Sequence, residues 1–145
     1  MIEVKEIETA TPEYEQVWQI REDVLRKPLG LSLKDEDLSE DADDHILAAF
    51  DGDKAVGCVI LHAKEHGVMK LRQMAVHGAV QGSGVGTIIV KAAEAAALKY
   101  GFKKMDMHAR MVAVDFYKKL GYIITSDVFT EVGIPHVVME KNLSA

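Results

Sequence analysis

A strand-like apolar run, Leu71 to Val76, empties into a loop carrying Gly82, Gly84 and Gly86 and then into an alanine-rich helical pattern from Thr87 to Tyr100. No other stretch constrains the fold as much. The first turn of a helix leaves backbone N–H groups without partners, and the helix dipole adds partial positive charge there. Anions settle at such a place. Glycine permits positive φ and lets backbone approach a ligand with no Cβ between them. The N–H groups of residues 82 to 87 can therefore curl around a diphosphate. The plainer alternative is a tight strand-to-helix turn that binds nothing.

Three phosphate patterns compete for this loop. A Walker A loop needs Lys and then Ser or Thr after its last glycine, whereas Gly86 is followed by Thr87 and Ile88, so no lysine reaches the phosphates. A dinucleotide fingerprint needs a further glycine three residues after Gly84, where Thr87 stands, and it lacks its βαβ context. The third pattern, Gln/Arg-x-x-Gly-x-Gly/Ala after a strand, is met by Gln81, Gly84 and Gly86.

At 145 residues the chain reads as one domain over 1–145, and 48% hydrophobic with 28% charged residues is ordinary for a soluble protein. The N-terminus M-I-E-V-K-E-I is too charged for a secretory signal and no apolar run reaches the length of a membrane span, which predicts a cytoplasmic protein with no membrane partner. Net charge of −6 argues against nucleic acid. Seven of the ten residues from Asp35 to Asp44 are acidic. That run is either a solvated loop or a field that draws a cationic substrate. No cluster has zinc or EF-hand spacing, so no metal is expected. Cys58, within V-G-C-V-I, reads as a buried small hydrophobe.

Taken in order, Ile2 to Glu8 alternates like a strand, and Thr11 and Pro12 open a helix that runs to about Arg26 and is ended by Lys27, Pro28 and Gly30. Ser32 to Asp44 is a weak helix or a loop. His45 to Phe50 and Ala55 to Ala63 form a hairpin about D-G-D, and Met69 to His77 returns as the strand entering the glycine loop. In the following helix Ile88, Ile89, Ala92, Ala93, Ala96 and Ala97 share a face, and Gly101 stops it. Lys104 to His108 then reads as a strand parallel to its predecessor by the crossover rule. Val112 to Leu120 is a short helix closed by Gly121, and Tyr122 to Phe129 and His136 to Lys141 are the last strands.

The glycine loop resembles the acetyl-CoA loop of the GNAT family of N-acetyltransferases, and the order of elements is similar as well. A second motif, A-x-x-F-Y-x-x-x-G-Y at Ala113, Phe116, Tyr117, Gly121 and Tyr122, resembles that family's A-x-x-F-Y-x-x-x-G-F. G-I-P-H at Gly133 to His136, with H-I-L at His45 to Leu47, is similar to the ElaA-like subgroup. The resemblance spans nearly the whole chain. It implies an α/β (α+β) fold with a mixed, mostly antiparallel sheet of six to seven strands, flanking helices, and a splay between strands 4 and 5.

It also implies an enzyme that moves acetyl from acetyl-CoA, its cosubstrate, to a primary amine of a small molecule or a protein amino group by direct transfer. A non-catalytic acetyl-CoA sensor is the other reading. The cofactor would meet Met74, Ala75 and Val76 on the strand, Gln81, Gly82, Ser83, Gly84, Val85, Gly86 and Thr87 in the loop, and Phe116 beyond it. Tyr117 takes the place of the family's general acid. His108 is the best-placed histidine for the base, with His136, His77, Glu65, Glu131 or a water chain as alternatives. The family often has proline where Gly78 stands, and asparagine where Arg110 stands; Arg110 would contact CoA phosphates or remain solvated. A homodimer is compatible with such a domain, although no residue selects for it.

Overall fold

A computed structural model of the chain describes residues 1–144. β1 (Ile2–Ile7), β2 (His45–Asp51), β3 (Lys54–Ala63) and β4 (Val68–Val76) form an antiparallel meander. β4 then pairs in parallel with β5 (Lys104–Arg110), reached through α2 (Val85–Lys99), as a crossover requires. β8 (Ile134–Asn142) lies antiparallel beside β5 and carries β7 (Phe129–Glu131) and β6 (Ile123–Ile124) along its other edge. The sheet has eight strands because the span expected as one strand, Tyr122 to Phe129, pairs with β8 only at Ile123–Ile124, and a further short strand, Phe129–Glu131, runs into the stretch expected as a turn and pairs with another part of β8.

α1 (Pro12–Arg21) starts as its residues dictate, with Thr11 Oγ1 accepting the Tyr14 N–H at 3.2 Å and Pro12 in the first turn. It passes into a π-helical turn, Glu22–Arg26, and Gly30 closes the segment in the left-handed region. The acidic stretch beyond holds only 3₁₀ turns, Leu33–Asp35 and Ser39–Asp43, and no α-helix. α3 (Val114–Lys119) precedes Gly121.

The sheet carries a core on each face. α1 covers one with Val17 and Ile20 against Ile46, Ala48, Cys58, Ile60 and Ala75. α2 and α3 cover the other, with Ile89, Ala93, Ala97 and Tyr117 against Val59, Met69, Leu71, Met105 and Met107. The expected α2 face is turned slightly: Val85 and Val90 join the buried row while Ile88 is exposed, because the sheet meets residues one helical step round from those expected. Cys58 is fully buried and its thiol is pushed up to about 12 by that burial, which leaves it a packing residue.

β3 and β4 lie so close to α2 that Gly57 has no room for a side chain. A Cβ there would meet Ile89 Cδ1 at 2.6 Å and the Ala75 carbonyl oxygen at 3.1 Å. Gly57→Ala should therefore lower stability by about 1–3 kcal/mol through overpacking. Urea denaturation checks this, and an unchanged midpoint would contradict the packing described.

Candidate active site

β4 and β5 pair only from Val68 to Leu71, opposite Lys104 to Met107. Beyond that point β4 runs on to Val76 and β5 to Arg110 without pairing, so the sheet splits. The cause lies in β4. Between the pairs Cys58↔Ala75 and Ile60↔Arg72, β3 advances two residues while β4 advances three, which is a β-bulge. Gln73, at the bulge, has φ 53°, in the left-handed region. An inserted residue inverts the alternation of faces. Met69 and Leu71 pack under α2, and after the bulge Ala75 packs under α1 while Met74 and Val76 turn to the α2 side.

The bulge is held by its side chain. Gln73 Oε1 accepts from Arg21 Nε at 3.4 Å and from Arg26 Nη2 at 3.3 Å. Arg21, 1% exposed, donates to Asp41 at 2.8 Å, and Asp41 also accepts from Tyr14 at 2.5 Å. Arg26 grips Glu36 with two nitrogens, and that contact holds the Glu36 carboxyl below its usual range. Asp44 pairs with His62 and Arg72. Within the acidic run Glu36, Asp41 and Asp44 are paired internally, while Asp35, Asp37, Glu40 and Asp43 stay exposed on the surface.

The split leaves backbone groups facing a gap. His77 N–H donates to the Val56 carbonyl, so by the alternation of an antiparallel ladder Val76 turns its N–H and C=O toward β5. The Val76 carbonyl accepts from the Gln81 side chain at 3.0 Å, which ties the glycine loop to the strand end. Gly84, φ 88°, is the N-cap of α2 and offers no side-chain cap. Among the described residues, the N–H groups of Gly82, Gly84, Val85, Gly86 and Thr87 have no acceptor. Unpaired N–H groups gathered at a helix start are what a phosphate requires.

A cleft of about 890 Å³ runs from this loop through the gap and out over the opposite face. Of the residues expected at the cofactor, Met74, Ala75, Val76, Gln81, Gly82, Gly84, Gly86, Thr87, Arg110 and Phe116 line it. Val85 is buried in the core and Ser83 Oγ turns back to the Val80 carbonyl, so these two offer backbone only. Tyr117 lines the cleft, is 6% exposed, and its hydroxyl has no hydrogen-bond partner among the described residues. Burial pushes its phenol up to about 12, so it keeps its proton at neutral pH. The motif's last residue, Tyr122, donates to Glu94 at 2.8 Å and fastens the end of α3 to α2.

On the other wall His108 Nδ1 lies 2.8 Å from Glu131 Oε2, and the His108 ring meets Phe129 edge-on at 5.1 Å. His136 is 4% exposed, and its Nδ1 donates to the Ile134 carbonyl at 2.8 Å. Each ring thus has Nε2 left as an acceptor. Glu65 and His77 are outside the cleft lining. Arg26, Glu36, Gln73 and the apolar Leu25, Leu29 and Leu31 also line the cleft. None of these six is marked by a local motif. Val132 and Gly133, both at positive φ, make the tight turn that brings Glu131 to His108.

Comparison with known proteins bears on the same stretches. The family profile described as Acetyltransferase (GNAT) domain matches residues 6–143. The Bacillus subtilis (strain 168) protein named uncharacterized N-acetyltransferase YjcF is 38% identical over 125 residues, 85% of this chain and 88% of that one. Escherichia coli ElaA shares the fold with a TM-score of 0.84 at 19% identity, over 98% of this chain and all of the other (100%). An aminoglycoside 6'-N-acetyltransferase complexed with coenzyme A gives a TM-score of 0.80 at 18% identity, over 99% of this chain and 98% of that one.

The clamp on the bulge makes the gap sensitive to one amide. Gln73→Ala removes the acceptor shared by Arg21 and Arg26, each a charge-assisted bond. Acetyl-CoA affinity should fall about tenfold, the equivalent of about 1.4 kcal/mol. Calorimetric titration measures this, and an unchanged dissociation constant would show that the bulge holds itself.

Proposed function

The chain belongs to the GNAT acetyltransferase family and is an N-acetyltransferase, and from that premise we propose that it transfers acetyl from acetyl-CoA directly to a primary amine of a small molecule, in a ternary complex within the cytoplasm. The observation that carries this reading is the split between β4 and β5, with five unpaired N–H groups at one end and the unpartnered Tyr117 hydroxyl beside it. Enzymes of this family use acetyl-CoA as cosubstrate, and a fold neighbour is complexed with coenzyme A. The diphosphate rests on the N–H groups of Gly82 to Thr87. The pantetheine arm lies in the gap along Met74 to Val76, taking the place of a missing strand.

The chemistry follows from what faces the gap. The amine nitrogen attacks the thioester carbon, and the C–S bond breaks as the C–N bond forms. The oxyanion of the tetrahedral intermediate accepts from the Val76 N–H, which points into the gap. His108, held through Nδ1 by Glu131, takes the amine proton at Nε2. Tyr117 donates its phenolic proton to the departing thiolate. Orientation of two bound substrates supplies much of the rate, and no covalent enzyme intermediate is required.

Tyr117→Phe should lower kcat about 10²-fold while acetyl-CoA binding is kept, and His108→Gln should do the same at neutral pH. Because Tyr117 acts as an acid and its phenol sits near 12, activity should show no alkaline fall below about pH 10. Steady-state kinetics across pH measures both. An unaltered rate in Tyr117→Phe would remove it as the acid, and absence of CoA release with every amine would favour a non-catalytic sensor.

A further inference from the structure

The cations of the cleft are accounted for except one. Arg26 is committed to Glu36 at 2.5 and 3.1 Å, and Arg72 to Asp44 at 3.4 Å. Arg110 lines the same cleft and has no ion pair or hydrogen bond with any described residue. The register fixes which face of the sheet it serves. Met105, Met107 and Ala109 of β5 lie in the core beneath α2, so the alternate residues His108 and Arg110 stand on the opposite face. Arg110 is directly across from His136 on β8, which places their Cβ atoms roughly 5 Å apart. Phe129 stacks on His136, and Glu131 contacts His108. Tyr117 belongs to the other face.

Resting on the acetyltransferase reading of this cleft, we infer that Arg110 is an anion subsite for the acceptor, and that the acceptor is amino acid-like: a primary amine, a carboxylate within a few bonds of it, and an apolar body. The Nε2 atoms of His108 and His136 accept the amine N–H groups. The Arg110 guanidinium takes the carboxylate with two parallel bonds, a geometry a fork-shaped donor is suited to. Leu25, Leu29 and Leu31 on the facing wall receive the apolar side chain. Arg110 therefore serves the acceptor, and neither contacts the CoA phosphates nor remains solvated, the two readings its sequence position left open.

Matched acceptors test this through CoA release: phenylalanine against phenethylamine, and glucosamine 6-phosphate against glucosamine, with the wild type and Arg110→Met. Phenylalanine should be preferred to phenethylamine by about tenfold or more in kcat/KM. In Arg110→Met that preference should shrink to about twofold or less, with the KM for acetyl-CoA unchanged. An anion preference confined to the sugar pair would overturn the carboxylate assignment. Equal rates within the amino acid pair, or a raised acetyl-CoA KM in Arg110→Met with the preference intact, would overturn the subsite. Calorimetric titration of N-acetylphenylalanine and N-acetylphenethylamine into the CoA-loaded protein repeats the comparison without turnover. Equal binding, or none of either, also overturns it. Wild-type protein that binds no CoA would instead refute the acetyltransferase reading underneath.

Discussion

One inserted residue in β4, held by two arginines, sets the rest of the site. Without the bulge at Gln73 the β4–β5 ladder has no reason to stop at Leu71, since both strands continue. A left-handed φ at a non-glycine residue costs on the order of 1–3 kcal/mol and persists only where its surroundings impose it. Here the surroundings are Arg21 and Arg26 on Gln73 Oε1, anchored in turn by Asp41 and Glu36. Arg21 and Asp41 are both buried, and removing one partner of such a pair leaves an uncompensated charge, typically a loss of 3–5 kcal/mol. The acidic loop thereby reaches the gap beside β4 through two chains of two contacts each, Asp41–Arg21–Gln73 and Glu36–Arg26–Gln73.

Those chains separate the electrostatics of the loop from its composition. Seven acidic residues in ten look like an attractor for cations, yet Glu36, Asp41 and Asp44 are spent on Arg26, Arg21 and Arg72. Two sides of one cleft then do different work. The α2 face carries unpaired N–H groups and a protonated phenol, which the proposed mechanism assigns to the thioester, and the β5–β8 face carries two imidazoles and a guanidinium, which it assigns to the acceptor. The gap between β4 and β5 joins them.

How much of this the sequence showed depends on range. Gln81, Gly84 and Gly86 lie within six residues of one another, as do Ala113, Phe116 and Tyr117, so short-range spacing exposes the loop, and the family resemblance of the second motif points to the candidate acid. The crossover from β4 through α2 to a parallel β5 follows from chain order and handedness. The bulge does not follow: Gln73 is held by residues 52 and 47 positions away, and no local pattern records that pairing. Arg26 and Glu36, ten apart, read only as a helix end and one acid among many. The ends of β6 and β7 were hidden because Tyr122 to Phe129 keeps enough apolar residues for a single strand and Thr130 to Pro135 reads as a turn, while β8 pairs only with Ile123–Ile124 and Phe129–Glu131.

In the proposed function the opened edge of β4 and the loop after it form one acetyl-CoA slot. Amide hydrogen exchange with and without acetyl-CoA tests it most directly. Protection should rise at Val76 and across Gly82 to Thr87, accompanied by a stability gain of about 2.7 kcal/mol at one hundred times the dissociation constant. Protection confined to other segments, or no stabilisation at all, would contradict it.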